Sequence, residues 1–331
     1  MNVFELSKAL IKIESLSGHE EPLFHFLSQF LKREGFTVKK ILSAPHRPNL
    51  FAYLKKPRIL FSSHMDTVAP YLAFHQDAHT LYGRGACDTK SIIAAQIITG
   101  LKLKVQGMKD IGFLYVVGEE VDHQGAIDSA KKVPNVEAII MGEPTQNTLA
   151  IGTKGIVKVA LKAFGKAAHS AYPELGRSAI HSLLETLFRI QNMPQEQSPF
   201  LGQSNLNIGI LEGGVAANVL ASQAQAQILV RTVSSSRQVY HQMKKNCLPH
   251  VKIQLESIND PIRLDTLPGF KTSIVSFNTD VPYLKKKAKK LFLLGPGSIL
   301  DAHGPNEKIS KKELLKSIGL YERLVKAIGN L

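Results

Sequence analysis

Residues able to bind metals or move protons recur in this sequence at one kind of place. His64 and Asp66 follow the apolar run 59–63, Glu119 and Glu120 follow 111–118, and Glu143 follows 136–142. Asp88 closes the glycine-rich stretch Gly83-Arg84-Gly85-Ala86-Cys87-Asp88 ahead of a helical segment. His303 comes after the run 291–294 and the turn Gly295-Pro296-Gly297. Taken singly, each reads as a cap or a surface residue. Taken together, several separate strand ends terminate in imidazole or carboxylate, a donor set that suits zinc, with cobalt or manganese as substitutes. No thiolate is needed, and Cys87 reads as packing.

The elements that must position these residues are legible from periodicity. The first 15 residues carry Phe4, Leu6, Leu10 and Ile13 at helical spacing. Ser17-Gly18-His19-Glu20 reads as a capping box for a helix with Leu23, Phe24, Leu27, Phe30 and Leu31 inward, ended by Gly35. Short apolar runs at 49–54, 59–63, 111–117 and 136–141 alternate with a helical stretch at 90–103. This argues an α/β fold, a doubly wound, mostly parallel sheet covered on both faces. In such a sheet, sites form beyond the carboxyl ends of the strands, where the residues above would gather.

The pattern changes near residue 155. Val157, Val159, Leu161 and Ala163 alternate with Lys158, Ala160 and Lys162, as in a half-exposed antiparallel strand. A helix at 178–191 is expected to carry Ile180, Leu183, Leu184, Leu187 and Phe188 on one face. Alternating strands at 205–211 and 224–233, a polar helix near 237–245 and a strand at 251–255 complete an inserted α+β domain. Beyond Asp260-Pro261 the first style returns, with buried strands expected at 274–277 and 291–294. Ser310-Lys311-Lys312-Glu313 reads as the cap of a last helix. The expected division is residues 1–154 with 264–331 as the catalytic domain, and 155–263 as the insert.

The 331 residues, 44% apolar and 21% charged, suit a globular chain of two domains. Two distant cysteines, Cys87 and Cys247, make no disulfide framework and point to a reducing, cytoplasmic setting. No signal-peptide pattern opens the chain, and no stretch reaches the ~20 apolar residues of a membrane span. The net charge of +14 includes the run Lys285-Lys286-Lys287 with Lys289-Lys290. No aromatic residues interleave these lysines, so they read as a solvated face rather than a nucleic-acid or membrane patch.

Five segments resemble, in order, the motifs of the M20 metallopeptidase family: Ser63-His64-Met65-Asp66-Thr67-Val68, Gly83 to Lys90, Gly118-Glu119-Glu120, Gly142-Glu143-Pro144-Thr145 and Ala302-His303-Gly304-Pro305-Asn306-Glu307. The resemblance implies two zinc ions bridged by Asp88, with His64 and Glu143 completing one and Glu120 and His303 the other. It implies that Asp66 orients His64 and that Glu119 is the general base. Gly165-Lys166-Ala167-Ala168-His169-Ser170-Ala171-Tyr172-Pro173 is similar to the family's lid motif, which implies that His169 donates to the oxyanion, across a homodimer interface formed by the insert. Gly213-Gly214-Val215-Ala216-Ala217-Asn218-Val219 resembles the segment whose Asn meets substrate. Arg231 matches a substrate-carboxylate arginine, and the backbone of Gly295 and Gly297 is expected to serve the same anion. The family pattern is departed from at Thr89-Lys90-Ser91 and at Leu220-Ala221.

The chemistry that these roles compose is amide hydrolysis. Two metals share one water and lower its pKa, and Glu119 takes its proton and delivers it to the leaving amine. Gly118-Glu119-Glu120-Val121-Asp122 and Gly295-Pro296-Gly297-Ser298 look more like the deacetylase branch. The expected substrate is therefore an N-acyl amino acid, in an acetylornithine deacetylase-like reaction. Succinyl-diaminopimelate desuccinylase and di- or carboxypeptidase activity are the alternatives. A catalytically silent amino-acid-binding relative is the rival from another class.

Overall fold

The structure, a computed structural model, describes residues 1–329. Its principal helices are α1 (Val3–Ile11), α2 (Glu21–Arg33), α3 (Lys90–Val105), α4 (Gln124–Lys132), α5 (Ala179–Gln191), α6 (Ser236–Lys245) and α7 (Lys311–Gly329). Its principal strands are β1 (Thr37–Ala44), β2 (Arg47–Tyr53), β3 (Ile59–His64), β4 (Ile111–Val116), β5 (Val136–Met141), β6 (Gly155–Phe164), β7 (Asn205–Gly213), β8 (Gln223–Thr232), β9 (Val251–Asn259) and β10 (Ala288–Leu293). Two compact units emerge. One holds Met1–Ile151, Leu264–Ser273 and the chain from Thr279 onward; the other holds Gly152–Arg263 and Ile274–Asn278. Gly152 and Thr153 go with the second unit, where they pair with Arg263 and Ile262.

The first unit is built on a six-stranded sheet in the order β1-β2-β4-β3-β5-β10. The pairs β3/β4, β3/β5 and β5/β10 are parallel, while β1/β2 and β2/β4 are antiparallel. Every residue of β3 and β4 is buried, as expected of central parallel strands covered on both faces. Ile59 and Phe61 join a core with Phe113, Ile93, Ile97 and Tyr321. Leu60, Leu114 and Ile139, pointing the other way, are equally buried. α3 lacks a polar stripe because it is buried nearly all round, with α1 and α7 packed on it.

Two local expectations change. The capping box over Ser17–Glu20 does not form: α2 starts at Glu21 with a proline in its first turn, and the Ser17 hydroxyl donates to Asp66 instead. A capping box does form one helix earlier, where Asn2 and Glu5 exchange hydrogen bonds at the start of α1. The segment expected as a buried strand at 274–277 is only the end of a short strand, Thr272–Val275, outside the six-stranded sheet, and Ile274 is exposed.

The second unit is an antiparallel sheet in the order β7-β8-β6-β9 with α5 and α6 packed on it. The alternation along β6 holds, and Val157, Val159, Leu161 and Ala163 form the core with Leu183 and Leu187. Leu184 and Phe188 do not turn inward: they are 47% and 65% exposed. The buried stripe of α5 runs through Ala179, Ser182, Leu183, Thr186, Leu187 and Ile190, which puts positions 184 and 188 about 100° further round the helix. Among the described residues, no helix is long and apolar enough to cross a membrane.

Candidate metal centre

Each candidate ligand leaves a rigid element of the first unit. β3 ends on His64, β4 leads through Val117 and Gly118 to Glu119 and Glu120, and β5 leads through Gly142 to Glu143. Asp88 precedes α3. A belt of buried hydroxyls fixes these ends together. Ser63 Oγ lies 2.8 Å from Thr89 Oγ1 and 3.0 Å from the Gly142 carbonyl, and Thr89 Oγ1 donates to the His64 carbonyl at 2.8 Å. Gly118 has φ +78°, and a Cβ there would lie 2.5 Å from Asp122 Oδ1 and 2.6 Å from Arg47 Nη2, so the turn that aims the two glutamates requires glycine.

The ligand candidates fall into two triads, His64–Asp88–Glu143 and Asp88–Glu120–His303; within each, the donor atoms lie within 4.8 Å of one another. Asp88 belongs to both and turns a different oxygen to each. Its Oδ1 is 3.0 Å from His64 Nε2, and its Oδ2 is 3.3 Å from His303 Nε2. Glu143 Oε2 is 3.9 Å from His64 Nε2, and Glu120 Oε1 is 3.0 Å from His303 Nε2.

His64 is held by the main chain of Asp66. Its Nδ1 lies 2.9 Å from the Asp66 carbonyl, which can only accept, so Nδ1 carries the proton and Nε2 faces the carboxylates. The Asp66 carboxylate was expected to orient His64, yet it stands 3.6 Å from Nδ1. Its closer partners are the Ser17 hydroxyl (2.8 Å) and the N–H groups of Glu119 (3.1 Å) and Glu120 (3.2 Å). The buried Asp66 side chain therefore anchors the backbone that carries both glutamates.

Glu119 Oε1 faces His123, whose Nδ1 is 3.9 Å away and hydrogen-bonds the buried Asp280 at 2.9 Å. Neither His123 nor Asp280 was singled out from the sequence. His123 stands four residues after Glu119, one position beyond the motif at 118–122; Asp280 lies in a loop with no periodicity. Arg84 and Glu307 were likewise missed as an ion pair, although both sit inside quoted motifs.

The electrostatics of the cluster favour cations. Burial pushes the Glu119 and Glu143 carboxyls well above the usual range against the pull of His64, and neighbouring carboxylates add to the rise. Burial also raises Glu120, against its hydrogen bond with His303. Burial opposes ionisation of Asp88, but hydrogen bonds from His303 and His64 hold it well below the usual carboxylate range. Burial works against charging His64, yet Asp66, Asp88 and Glu143 hold its pKa well above normal. Hydrogen bonds to Asp88 and Glu120 push His303 up to about 10. Such a crowd of carboxylates around two imidazoles is costly to bury without positive charge. Glu143 Oε1 is buried with no hydrogen-bond partner, a free acceptor suited to a metal ligand. The residues present fit a pair of divalent cations.

The remaining candidates are not members of the two triads. Gly295 is not free to serve a substrate, because its N–H donates to Thr145 Oγ1 at 3.0 Å and its carbonyl accepts from Thr145 and Asn147. The turn braces the loop after Glu143 instead. Gly297, at φ +83°, accepts from the Gln146 N–H and packs over Cys87 Sγ, which a Cβ would approach to 2.6 Å. His169, Asn218 and Arg231 belong to the second unit. His169 is exposed in an isolated bridge with Val219, its Nδ1 accepting from the Ala171 N–H at 3.1 Å. Asn218 accepts from the Ser170 N–H through its carbonyl. Arg231 lies on β8, paired with Asn205 and Ile156.

The sequence profile of peptidase family M20/M25/M40 matches residues 60–327. The chain belongs to this family. Among its M20 relatives is a peptidase M20 domain-containing protein of Schizosaccharomyces pombe, 38% identical, with the match covering 98% of this chain and 84% of that protein. Another, from Talaromyces marneffei, is named a probable carboxypeptidase; it is 33% identical over 98% of this chain and 85% of its own length. In fold, the M20 chain matches a solved M20 family metallo-carboxypeptidase from Sulfolobus solfataricus with a TM-score of 0.85 at 15% identity, each chain covered to 100%. Family membership makes it a metallohydrolase of amide bonds.

Proposed function

We propose that this chain is a two-metal exopeptidase that hydrolyses the amide bond next to the free carboxylate end of a short peptide, with small N-acyl amino acids as related substrates. The observation that carries the reading is the pair of triads sharing Asp88, one oxygen to each. Two divalent cations, zinc in the first instance, supply Lewis acidity and a water ionised near neutral pH when bound. His64 and Glu143 hold one of them, Glu120 and His303 the other, and Asp88 lies between.

In the reaction, Glu119 takes the proton of the attacking water and returns it to the departing amine. Asp66 and the His123–Asp280 pair fix where Glu119 points. Carried over from the family resemblance alone, His169 donates to the oxyanion in the neighbouring subunit's site, and Asn218 and Arg231 are the candidates for the substrate's carboxylate end, where a guanidinium fork suits the anion. Of the two glycines first considered for that anion, only Gly297 stays in the proposal.

The carboxypeptidase names borne by the relative from Talaromyces marneffei and the structure from Sulfolobus solfataricus favour peptides over acetylated amino acids. The acetylornithine deacetylase-like reaction rests only on the motifs at 118–122 and 295–298. The second of these is a structural brace, so we rank it behind carboxypeptidase. The test is a panel of dipeptides, tripeptides and acetyl, succinyl and formyl amino acids, assayed with zinc and with cobalt. Peptide turnover that a chelator abolishes and metal restores is expected. Hydrolysis confined to acyl amino acids refutes the peptidase assignment, and turnover unaffected by chelation refutes the metal mechanism.

We further propose that the second unit mediates a homodimer. Leu184 and Phe188 on α5 and Ile210 and Leu211 on the edge strand β7 are large exposed apolar residues, of the kind that interfaces cover. Sedimentation should give twice the chain mass, and Phe188→Glu should shift it to monomer; a parent that sediments as a monomer at micromolar concentration refutes this.

A further inference from the structure

His303 differs from the other candidate ligands. They follow buried strands or open a buried helix; His303 sits on a half-exposed loop with φ 62°, between a short 3-10 turn (Ile299–Asp301) and the strand Lys308–Ser310. Something must fix that loop relative to Asp88. The fully buried Glu307 has the geometry to do so. One of its oxygens, Oε1, accepts the N–H groups of Cys87 and Asp88, both at 3.0 Å. The other, Oε2, accepts from Arg84 Nη1 at 2.7 Å. Arg84, also buried, donates from Nη1 to the Gly304 carbonyl at 3.3 Å and from Nε to the Pro70 carbonyl at 3.0 Å. The Gly83 N–H completes the connection at the Glu307 carbonyl, 3.1 Å away. One ion pair thus ties the residue after His303 to the loop that presents Asp88.

We propose that the Arg84–Glu307 pair is a positioning latch that sets occupancy of the cation position formed by Asp88, Glu120 and His303. The proposal rests on the two-cation reading above. A buried ion pair adds little net stability compared with apolar residues of the same volume. Here its bonds to Cys87, Asp88 and Gly304 run to the backbone of the two loops that carry Asp88 and His303, while the Arg84 Nε bond to the Pro70 carbonyl ties it to a third segment. The position formed by His64, Asp88 and Glu143 shares only Asp88 with the latch and depends on it less.

The test titrates metal-free, full-length protein with zinc against a competing chelator, in the parent and in Glu307→Gln, Arg84→Lys and His303→Ala. The parent binds two equivalents. Glu307→Gln keeps one acceptor oxygen but turns an amide NH2 toward the guanidinium. It should keep one equivalent within about threefold of parental affinity and weaken the other by about 10- to 100-fold, the range typical of lost support behind metal ligands. His303→Ala, which removes a donor outright, should weaken the same equivalent further and leave the other in place. Arg84→Lys, which keeps the charge but lacks the fork, should show a smaller loss of the same equivalent, and it carries the test if Glu307→Gln does not fold. Two equivalents of parental affinity in either folded variant overturn the latch. So does equal weakening of both equivalents together with a lower melting temperature of the metal-free protein, which marks a merely structural pair. A parent that binds fewer than two equivalents overturns the two-cation reading itself.

Discussion

Replacing Asp66 with Asn changes no volume, yet the structure predicts a large and divided effect. Oδ1 accepts the Glu119 N–H, while Oδ2 accepts the Ser17 hydroxyl and the Glu120 N–H. An amide offers one acceptor oxygen. In its better orientation that oxygen serves Ser17 and Glu120, and its NH2 group confronts the Glu119 N–H. One buried donor is then left unsatisfied, at a cost of about 1–3 kcal/mol, and the other two bonds lose their charge-assisted character. That is a sizeable part of the 5–15 kcal/mol of total stability usual for a folded domain, quoted as an order of magnitude. Burial opposes ionisation of Asp66, but His64 and its hydrogen-bond donors hold its pKa below the ordinary value. A carboxylate with a depressed folded-state pKa stabilises the protein above its unfolded pKa, about 3.9, and the benefit is lost as the pH falls through the lower folded value. The gap between parent and variant should therefore be full near pH 7 and shrink in acid. Urea unfolding of the metal-free proteins, followed by circular dichroism because the chain has no tryptophan, measures it. Metal affinity should fall by about 10- to 100-fold as well. Parental urea midpoints at pH 7 together with parental metal affinity would refute the role assigned to this carboxylate.

Other expectations follow from the same geometry. Glu119→Gln should bind metal like the parent and lose about 10²–10⁴-fold in kcat, and near-parental turnover would remove Glu119 as the base. Because the carboxylates raise both His64 and His303, the latter to about 10, each imidazole holds its proton above neutral pH, and metal must displace it. Affinity should therefore climb with pH across the range 6–9, and a flat profile would contradict the donor assignment. Gly118→Ala adds a Cβ 2.5 Å from Asp122 Oδ1 and forces a side chain into the left-handed region, about 1–3 kcal/mol of strain. A thermal melt equal to the parent's would show that the turn tolerates a side chain.

The two-unit α/β plan was readable because each signal was strong and local. Runs such as 59–63 and 111–117 are apolar without interruption, as strands buried on both faces must be, and β6 alternates cleanly. The convergence of His64, Glu120 and Glu143 was legible because strand ends on one edge of a parallel sheet share a location, whereas Asp88 and His303, both on loops, were recognised by their motifs. What stayed hidden depends on contacts that no spacing encodes. Ser17 looked like a helix cap because its neighbours fit that pattern, but its hydroxyl is recruited by a carboxylate 49 residues away. Leu184 and Phe188 fit an apolar helix face by type, and only packing against the sheet decides which side of α5 is covered. Gly295 looked available to an anion until Thr145, 150 residues earlier, claimed its N–H. Asp280 carries no periodic signal, and its place behind His123 follows from the return of the chain to the first unit.

On the proposed function, Asp88 would present one oxygen to each of two cations. Anomalous diffraction from crystals grown with zinc tests it most directly. Two peaks flanking Asp88, one against His64 and Glu143 and the other against Glu120 and His303, are predicted, and both should vanish in Asp88→Ala. A single peak away from Asp88, or unchanged peaks in that variant, would contradict the account.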